Sequence, residues 1–251
     1  MNDFTGLQSV FKREFRGYFS TPMGYIFMVI FLVASGFLTV SRDYGKLLEL
    51  RQASLASFFQ YLPWIFVVLI PAVAMRLWSE ERKTGTVELL FTLPITLQGS
   101  YLGKFLAGWS FLLVSLFLTW PVVWQVARLG DPDWGAIFTG YIGCGLLAAA
   151  LLAIGMLFSA LTKNQVVAFI LGVTVSVVLL IIGLPQSLEA ISSVWGIGGY
   201  LEQVFASVSM IDHFNVLTRG LIEFRSLAFF IVITLGWLVC GMMVLDRLKA
   251  S

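Results

Sequence analysis

Residues able to do chemistry are few in this sequence, and they gather in three places. Glu80, Glu81, Arg82, Lys83 and Glu88 crowd into one stretch, Ser79 to Thr96, which reads SEERKTGTVELLFTLPIT. Paired carboxylates can do acid–base work, but the apolar runs on either side bring no histidine or carboxylate to help them activate water. The second place is Ser209 to Arg225, SMIDHFNVLTRGLIEFR, where His213, the only histidine, follows Asp212. A lone imidazole beside one acid falls short of the three or four ligands that zinc takes. Cys144 and Cys240 both lie inside apolar runs and read as small packing residues rather than a disulfide or metal pair. The third place, Gly99 to Lys104, has the outline of a phosphate-binding loop. Only three residues separate its glycines instead of four, Phe105 stands where Ser or Thr is needed, and no strand precedes it. ATP binding by that route is excluded. No metal and no cofactor is therefore expected on the chain, and no catalytic residue.

Composition says what surrounds these places. Hydrophobic residues make up 59% of the 251 and charged ones 12%, against about 45–50% and 25% in soluble proteins. Residues 1–251 read as one all-α integral membrane domain. A net charge of +2 without a polybasic run argues against a nucleic-acid partner.

The elements follow from periodicity. Over residues 1–21, Phe4, Leu7, Phe11, Phe15 and Tyr18 recur at threes and fours, with Lys12, Arg13, Glu14 and Arg16 between them. That pattern, with Thr5 and Gln8 as a capping box, predicts an amphipathic helix lying on the membrane surface. Six apolar runs follow, at about 22–41, 57–76, 103–126, 134–160, 165–184 and 226–245, each near the roughly 20 residues that cross a bilayer. The first is longer than a signal-peptide core and should remain as a span. Counting only Lys and Arg, an arrangement with both termini inside puts ten on the cytoplasmic side and six outside. Pro63 and Pro71 in the second run and Pro121 in the third predict kinks. Gly145, Ala149 and Ala153, with Gly140, Cys144 and Ala148 alongside, give the fourth run a small-residue face suited to close packing within the chain. The connector 185–225 is too long for a turn. Its apolar pieces 190–201 and 203–211, parted by Gly196, Gly198 and Gly199, predict a re-entrant insertion on the outer side before the last span.

The charged stretch 79–96 cannot lie in hydrocarbon, because one Arg or Asp at the bilayer centre costs roughly 2.5–3.5 kcal/mol. Thr84 and Gly85 offer a turn and a helix start, Thr86 to Phe91 a short helix, and Pro94 its end. Val87, Leu90 and Phe91 would share one side with Glu88 beside them. Such a face suits a docking partner, although a solvated connector satisfies the same residues.

The order Glu80-Glu81-Arg82, Gly85-Thr86, Glu88-Leu89-Leu90 and Pro94-Ile95-Thr96 resembles the signature loop of ABC-2-type permeases. The His-Phe and Arg-Gly pairs of 213–214 and 219–220 resemble the branch associated with bacterial gliding motility. The likeness covers essentially the whole chain. It implies a six-span transport subunit of the bacterial inner membrane with cytoplasmic termini, and a coupling helix that sits in a groove of a separate ATPase subunit. ATP and Mg would then belong to that partner, and a second permease, identical or related, would complete a dimer. On that likeness Glu80, Glu81, Arg82, Gly85, Thr86, Val87, Glu88, Leu90, Phe91 and Pro94 serve ATPase coupling. Asp212, His213, Arg219, Gly220 and Glu223 form a hydrogen-bonded structural knot outside. The implied function is ATP-driven export. The alternative is an ATPase anchor doing mechanical or assembly work, with or without an auxiliary membrane protein. Paired Glu with Arg and His also resembles the set of a membrane protease family. There, however, the Arg lies four residues after the second Glu, a place held here by Gly85.

Overall fold

Apolar runs of this length leave their backbone amides no water to bond, and the helix satisfies them within the segment. The computed structural model describes residues 3–41, 54–86, 96–182, 184, 187 and 207–250, with side chains from 6 to 247. Among the described residues the regular structure is helix alone. α1 (Asp3–Ser20) turns at Thr21 into α2 (Pro22–Val40), and α3 (Ala56–Ala74) leads into α4 (Arg76–Thr84). α5 (Leu97–Phe117) and α6 (Trp120–Leu129) are followed by α7 (Trp134–Leu161), α8 (Gln165–Ile181), α9 (Met210–Thr218) and α10 (Phe224–Ala250). Among the described residues, five stretches are long and apolar enough to cross a membrane: 22–40, 56–84, 97–129, 134–161 and 224–247. α8 is apolar but shorter, so the fifth of the six expected spans falls below that length.

The chain is arranged around α7. Its small residues let neighbours approach closely, and it packs against α3, α4, α5, α8, α9 and α10. A Cβ on Gly155 would lie 2.6 Å from the Cβ of Ala74, and one on Gly140 would lie 2.5 Å from the Phe59 ring. On the same helix the Gly145 carbonyl accepts a 2.9 Å hydrogen bond from Trp109 Nε1 of α5. The small-residue face is thus used within the chain. Both cysteines are free, Cys144 in the core and Cys240 exposed.

Three expectations need correction. The span expected at 103–126 starts at Leu97, where the Thr96 hydroxyl caps α5 by accepting from Gly99 N–H. It breaks at Leu118–Thr119, with Pro121 in the first turn of α6. The charged residues 80–83 are not loop but the second half of α4. α4 ends at Gly85, whose φ of +73° is the left-handed conformation that glycine adopts without strain. Gly85 thus forms a turn, and Thr86 beyond it is again helical, its hydroxyl bonding the Glu81 carbonyl at 3.3 Å and the Thr84 hydroxyl at 3.0 Å. Val87, Glu88, Leu90, Phe91 and Pro94 lie outside the described residues, as do the piece 190–201 and the glycines within it.

Candidate functional site

One end of the bundle gathers most of the charge that the sequence places near the spans. α1 presents alternating cations and apolar residues, and it lies along α5 because Gly103 has no side chain. A Cβ there would meet the Leu7 carbonyl at 3.0 Å and Val10 at 3.1 Å. Lys12, Arg13 and Arg16 stay exposed, while Val10 and Tyr18 are buried. The turn into α2 is equally tight, since Gly24 sits against the Tyr18 carbonyl.

Lys104 of α5 is the centre of the site and only 2% exposed. Its ammonium donates at 2.7 Å to the Leu77 carbonyl and at 2.7 Å to Glu81 Oε1, both on α4. Glu14 Oε1 of α1 is 3.6 Å away, and the Trp78 ring lies beneath at 4.8 Å. Arg13 closes the cluster from outside, 2.8 Å from Glu14 and 3.5 Å from Glu81. A buried ammonium requires such partners, because desolvation costs several kcal/mol that only paired charges and hydrogen bonds return. Beneath the charges Trp78 stacks on Tyr101 at 5.5 Å, and both are fully buried. Gly241 of α10 makes room for that pair, since a Cβ there would coincide with the Tyr101 hydroxyl. Tyr18 stacks on Phe111 at 4.6 Å. Burial, and then the Glu14 carboxylate, push its hydroxyl pKa well above the ordinary value, so Tyr18 stays neutral.

The opposite side of α4 is held by α7. Ser159 Oγ accepts from Trp78 N–H at 3.0 Å and Ser79 N–H at 3.1 Å, and donates to the Met75 carbonyl at 2.7 Å. The Ser79 hydroxyl donates to that carbonyl too. A side chain from another helix thus occupies the backbone ladder where α3 passes into α4, one of the recognised causes of a helix bend. Four residues on, Arg82 Nη1 donates at 2.5 Å to the Ala160 carbonyl, one of the last-turn carbonyls that α7 cannot satisfy internally. α4 is therefore gripped by α5 and α1 on one side and α7 on the other.

Of the residues expected to couple, Glu81 and Arg82 are engaged within the chain, Glu80 is exposed beside them, Gly85 caps α4, and Thr86 follows the turn. Sequence reasoning missed Lys104, Glu14, Arg13 and Ser159 as parts of this site. Lys104 was counted among cytoplasmic charges, although an ionisable residue inside an apolar helix is by itself a functional signal. Ser159 carried no signal at all.

The expected outer knot takes a different form. His213 is buried and lies flat on Phe229 at 4.3 Å. Its Nε2 is 3.3 Å from the Ser207 carbonyl, which can only accept. Nδ1, 3.1 Å from Ser226 Oγ, therefore accepts from that hydroxyl. Asp212, Arg219 and Glu223 are exposed, and no ion pair joins them among the described residues. The knot is imidazole, serine and backbone rather than acid and base. Gly220, at φ +87°, turns the chain beside Ala136 of α7.

Chemically, the charged site holds a helix. Its carboxylates are committed to cations, and among the described residues no three His, Cys, Asp or Glu side chains gather as a metal site would require. A family model described as "ABC-2 family transporter protein" matches residues 8–247. No curated protein matches the chain.

Proposed function

For a chain that belongs to the ABC-2 family of membrane transporters, we propose the role of permease subunit, coupled to ATP hydrolysis by a separate ATPase chain. The observation that carries this reading is the double grip on α4. A helix continuous with a span, pinned by Lys104 and Arg82, leads directly into the stretch 87–96. A force applied to that stretch reaches α5 through Lys104 and α7 through Ser159 and Arg82. Val87, Leu90 and Phe91 fill a groove of the ATPase, with Glu88 as polar contact, while Glu81 and Arg82 pass the movement on. Gly85 supplies the turn between docking segment and lever, and Pro94 ends the segment.

In this reading α8 is the sixth crossing, α1 lies along the cytoplasmic surface of the inner membrane, and both termini are cytoplasmic. The apolar segment before α9 dips in from outside. Two permeases, identical or paired with a relative of the gliding-motility branch, work with two ATPase subunits that carry the ATP and Mg. Export is the direction that a cytoplasmic ATPase drives in this design. Among the described residues no carboxylate is buried in the spans for ion coupling, which suits a pump whose energy arrives from outside the membrane.

Co-purification from native membranes tests the reading. The wild-type chain brings an ATPase with it, and alanine at Leu90 and Phe91 loses that partner while Lys83→Ala keeps it. An ATPase retained and still stimulated by the double variant would end the docking assignment. A complex that hydrolyses ATP yet accumulates no solute in inside-out vesicles would replace export by mechanical work.

A further inference from the structure

Two charges at the junction are left over once its cluster is paired. Arg76 and Glu80 stand one turn apart on α4, and neither belongs to an ion pair among the described residues. Arg76 makes only a long contact, 3.5 Å, to the Thr21 hydroxyl. Both line an open cleft of about 270 Å³ between α1 and α4, floored by the Glu14–Lys104–Glu81 cluster. That cluster is internally compensated, with Arg13 balancing its second carboxylate, so the free charges of the cleft are one cation and one anion.

A second cavity of about 130 Å³ adjoins the first and shares Tyr18 and Arg76 with it. It runs between α2 and α3 and is walled by Met23, Ile26, Ile30, Leu69 and Val73. Met23, Ile26 and Ile30 are exposed along its rim. A polar cleft with one free cation and one free anion, opening into an apolar groove on the membrane-facing surface, matches a zwitterionic amphiphile.

We propose that this corner binds an aminophospholipid of the phosphatidylethanolamine class. Its phosphate sits on Arg76, its ammonium on Glu80, and one acyl chain lies along the groove between α2 and α3. The one-turn spacing of the two side chains suits a head group whose opposite charges are two carbons apart. An anionic lipid would meet Glu80 without an ammonium to offer it, and Glu14 and Glu81 stand behind. A choline lipid presents a quaternary ammonium with no N–H to donate. This inference rests on the proposal that α2 and α3 cross the membrane, but not on the docking of an ATPase.

The test is native mass spectrometry on the full chain reconstituted in vesicles of equal phosphatidylethanolamine, phosphatidylcholine and phosphatidylglycerol, then extracted in mild detergent. The expected spectrum retains the ethanolamine lipid about tenfold over each of the others, as one charge-assisted hydrogen bond allows. Glu80→Gln removes the preference, whereas Arg76→Gln lowers retention of all three lipids, whose phosphate they share. Met23→Trp, at an exposed position that tolerates a larger side chain, blocks the groove and lowers retention of all three lipids. Equal retention of the three lipids by the wild-type chain, or a preference surviving Glu80→Gln, would overturn the proposal. Soluble phosphorylethanolamine should displace the lipid only weakly; displacement as strong as by a short-chain lipid would make this a head-group site and refute the acyl groove. Arg76→Gln and Met23→Trp should still co-purify with an ATPase, so lipid loss and docking loss are read separately.

Discussion

Replacing Lys104 by methionine keeps the length and apolar stem of the side chain and removes the charge that joins three helices. Breaking a buried ion pair by deleting one partner costs about 3–5 kcal/mol, largely because the other charge is left uncompensated. Here the stranded partners, Glu14 and Glu81, keep 21% of their side-chain surface in contact with solvent, and Arg13 stays beside both. Those features reduce the expected loss to about 2–3 kcal/mol. In a chain of this size 1 kcal/mol corresponds to roughly 2–4 °C, so the melting temperature in detergent should fall by about 5–10 °C. The double variant Lys104→Met/Glu81→Leu removes both charges and should recover part of the loss, with a coupling energy of about 1–3 kcal/mol. Amide exchange should quicken along 77–82 in the single variant and less in the double. Additive losses, or a single variant as stable as wild type, would refute the pairing as the bond that holds α4.

Other consequences follow from individual contacts. Ser159→Ala strands the Trp78 and Ser79 amides, so stability should drop by about 1–2 kcal/mol and both amides should exchange faster; slower exchange would mean that the ladder simply closes without the hydroxyl. Gly241→Ala pushes on the Tyr101 hydroxyl and through it on the Trp78 stack, an overpacking worth about 1–3 kcal/mol that tryptophan fluorescence would register. Gly155→Leu should prevent α7 from seating on Ala74 and abolish recovery of folded protein, whereas a leucine at exposed Gly236, where a Cβ meets nothing, should be neutral. In α9, His213→Phe keeps the stacking on Phe229 but loses both hydrogen bonds, for about 1–2 kcal/mol. Asp212→Asn and Glu223→Gln should each stay within about 0.5 kcal/mol, and a larger effect would restore the acid–base knot.

The spans were legible because a bilayer imposes length and composition on them. α2, α3, α7 and α10 fall close to their apolar runs, and the glycines and alanines of α7 announced a closely packed helix. Proline placed the break before α6 to within a few residues. What failed did so for identifiable reasons. Charge alone assigned residues 80–83 to a loop, but α4 is helical because protein partners, not water, receive Glu81 and Arg82. Lys104 looked like a flanking cation, since its two carboxylates come from segments 23 and 90 residues away in sequence. Ser159 closes a backbone ladder in another helix, a contact that no local pattern encodes. His213 was read as part of an acid–base knot, and its partners proved to be a serine hydroxyl and a carbonyl.

The central claim is that α4 moves relative to α7 when the partner ATPase binds nucleotide. Lys83, in the last turn of α4, and Lys163, just beyond α7, are both exposed and flank the Arg82 contact. With Cys240 replaced by serine and Cys144 left in the core, spin labels at Lys83→Cys and Lys163→Cys report their distance in the reconstituted complex. The account predicts a shifted distance distribution in the ATP-trapped state, lost when Leu90 and Phe91 are alanine. Identical distributions with and without nucleotide, in a complex that hydrolyses ATP, would contradict it.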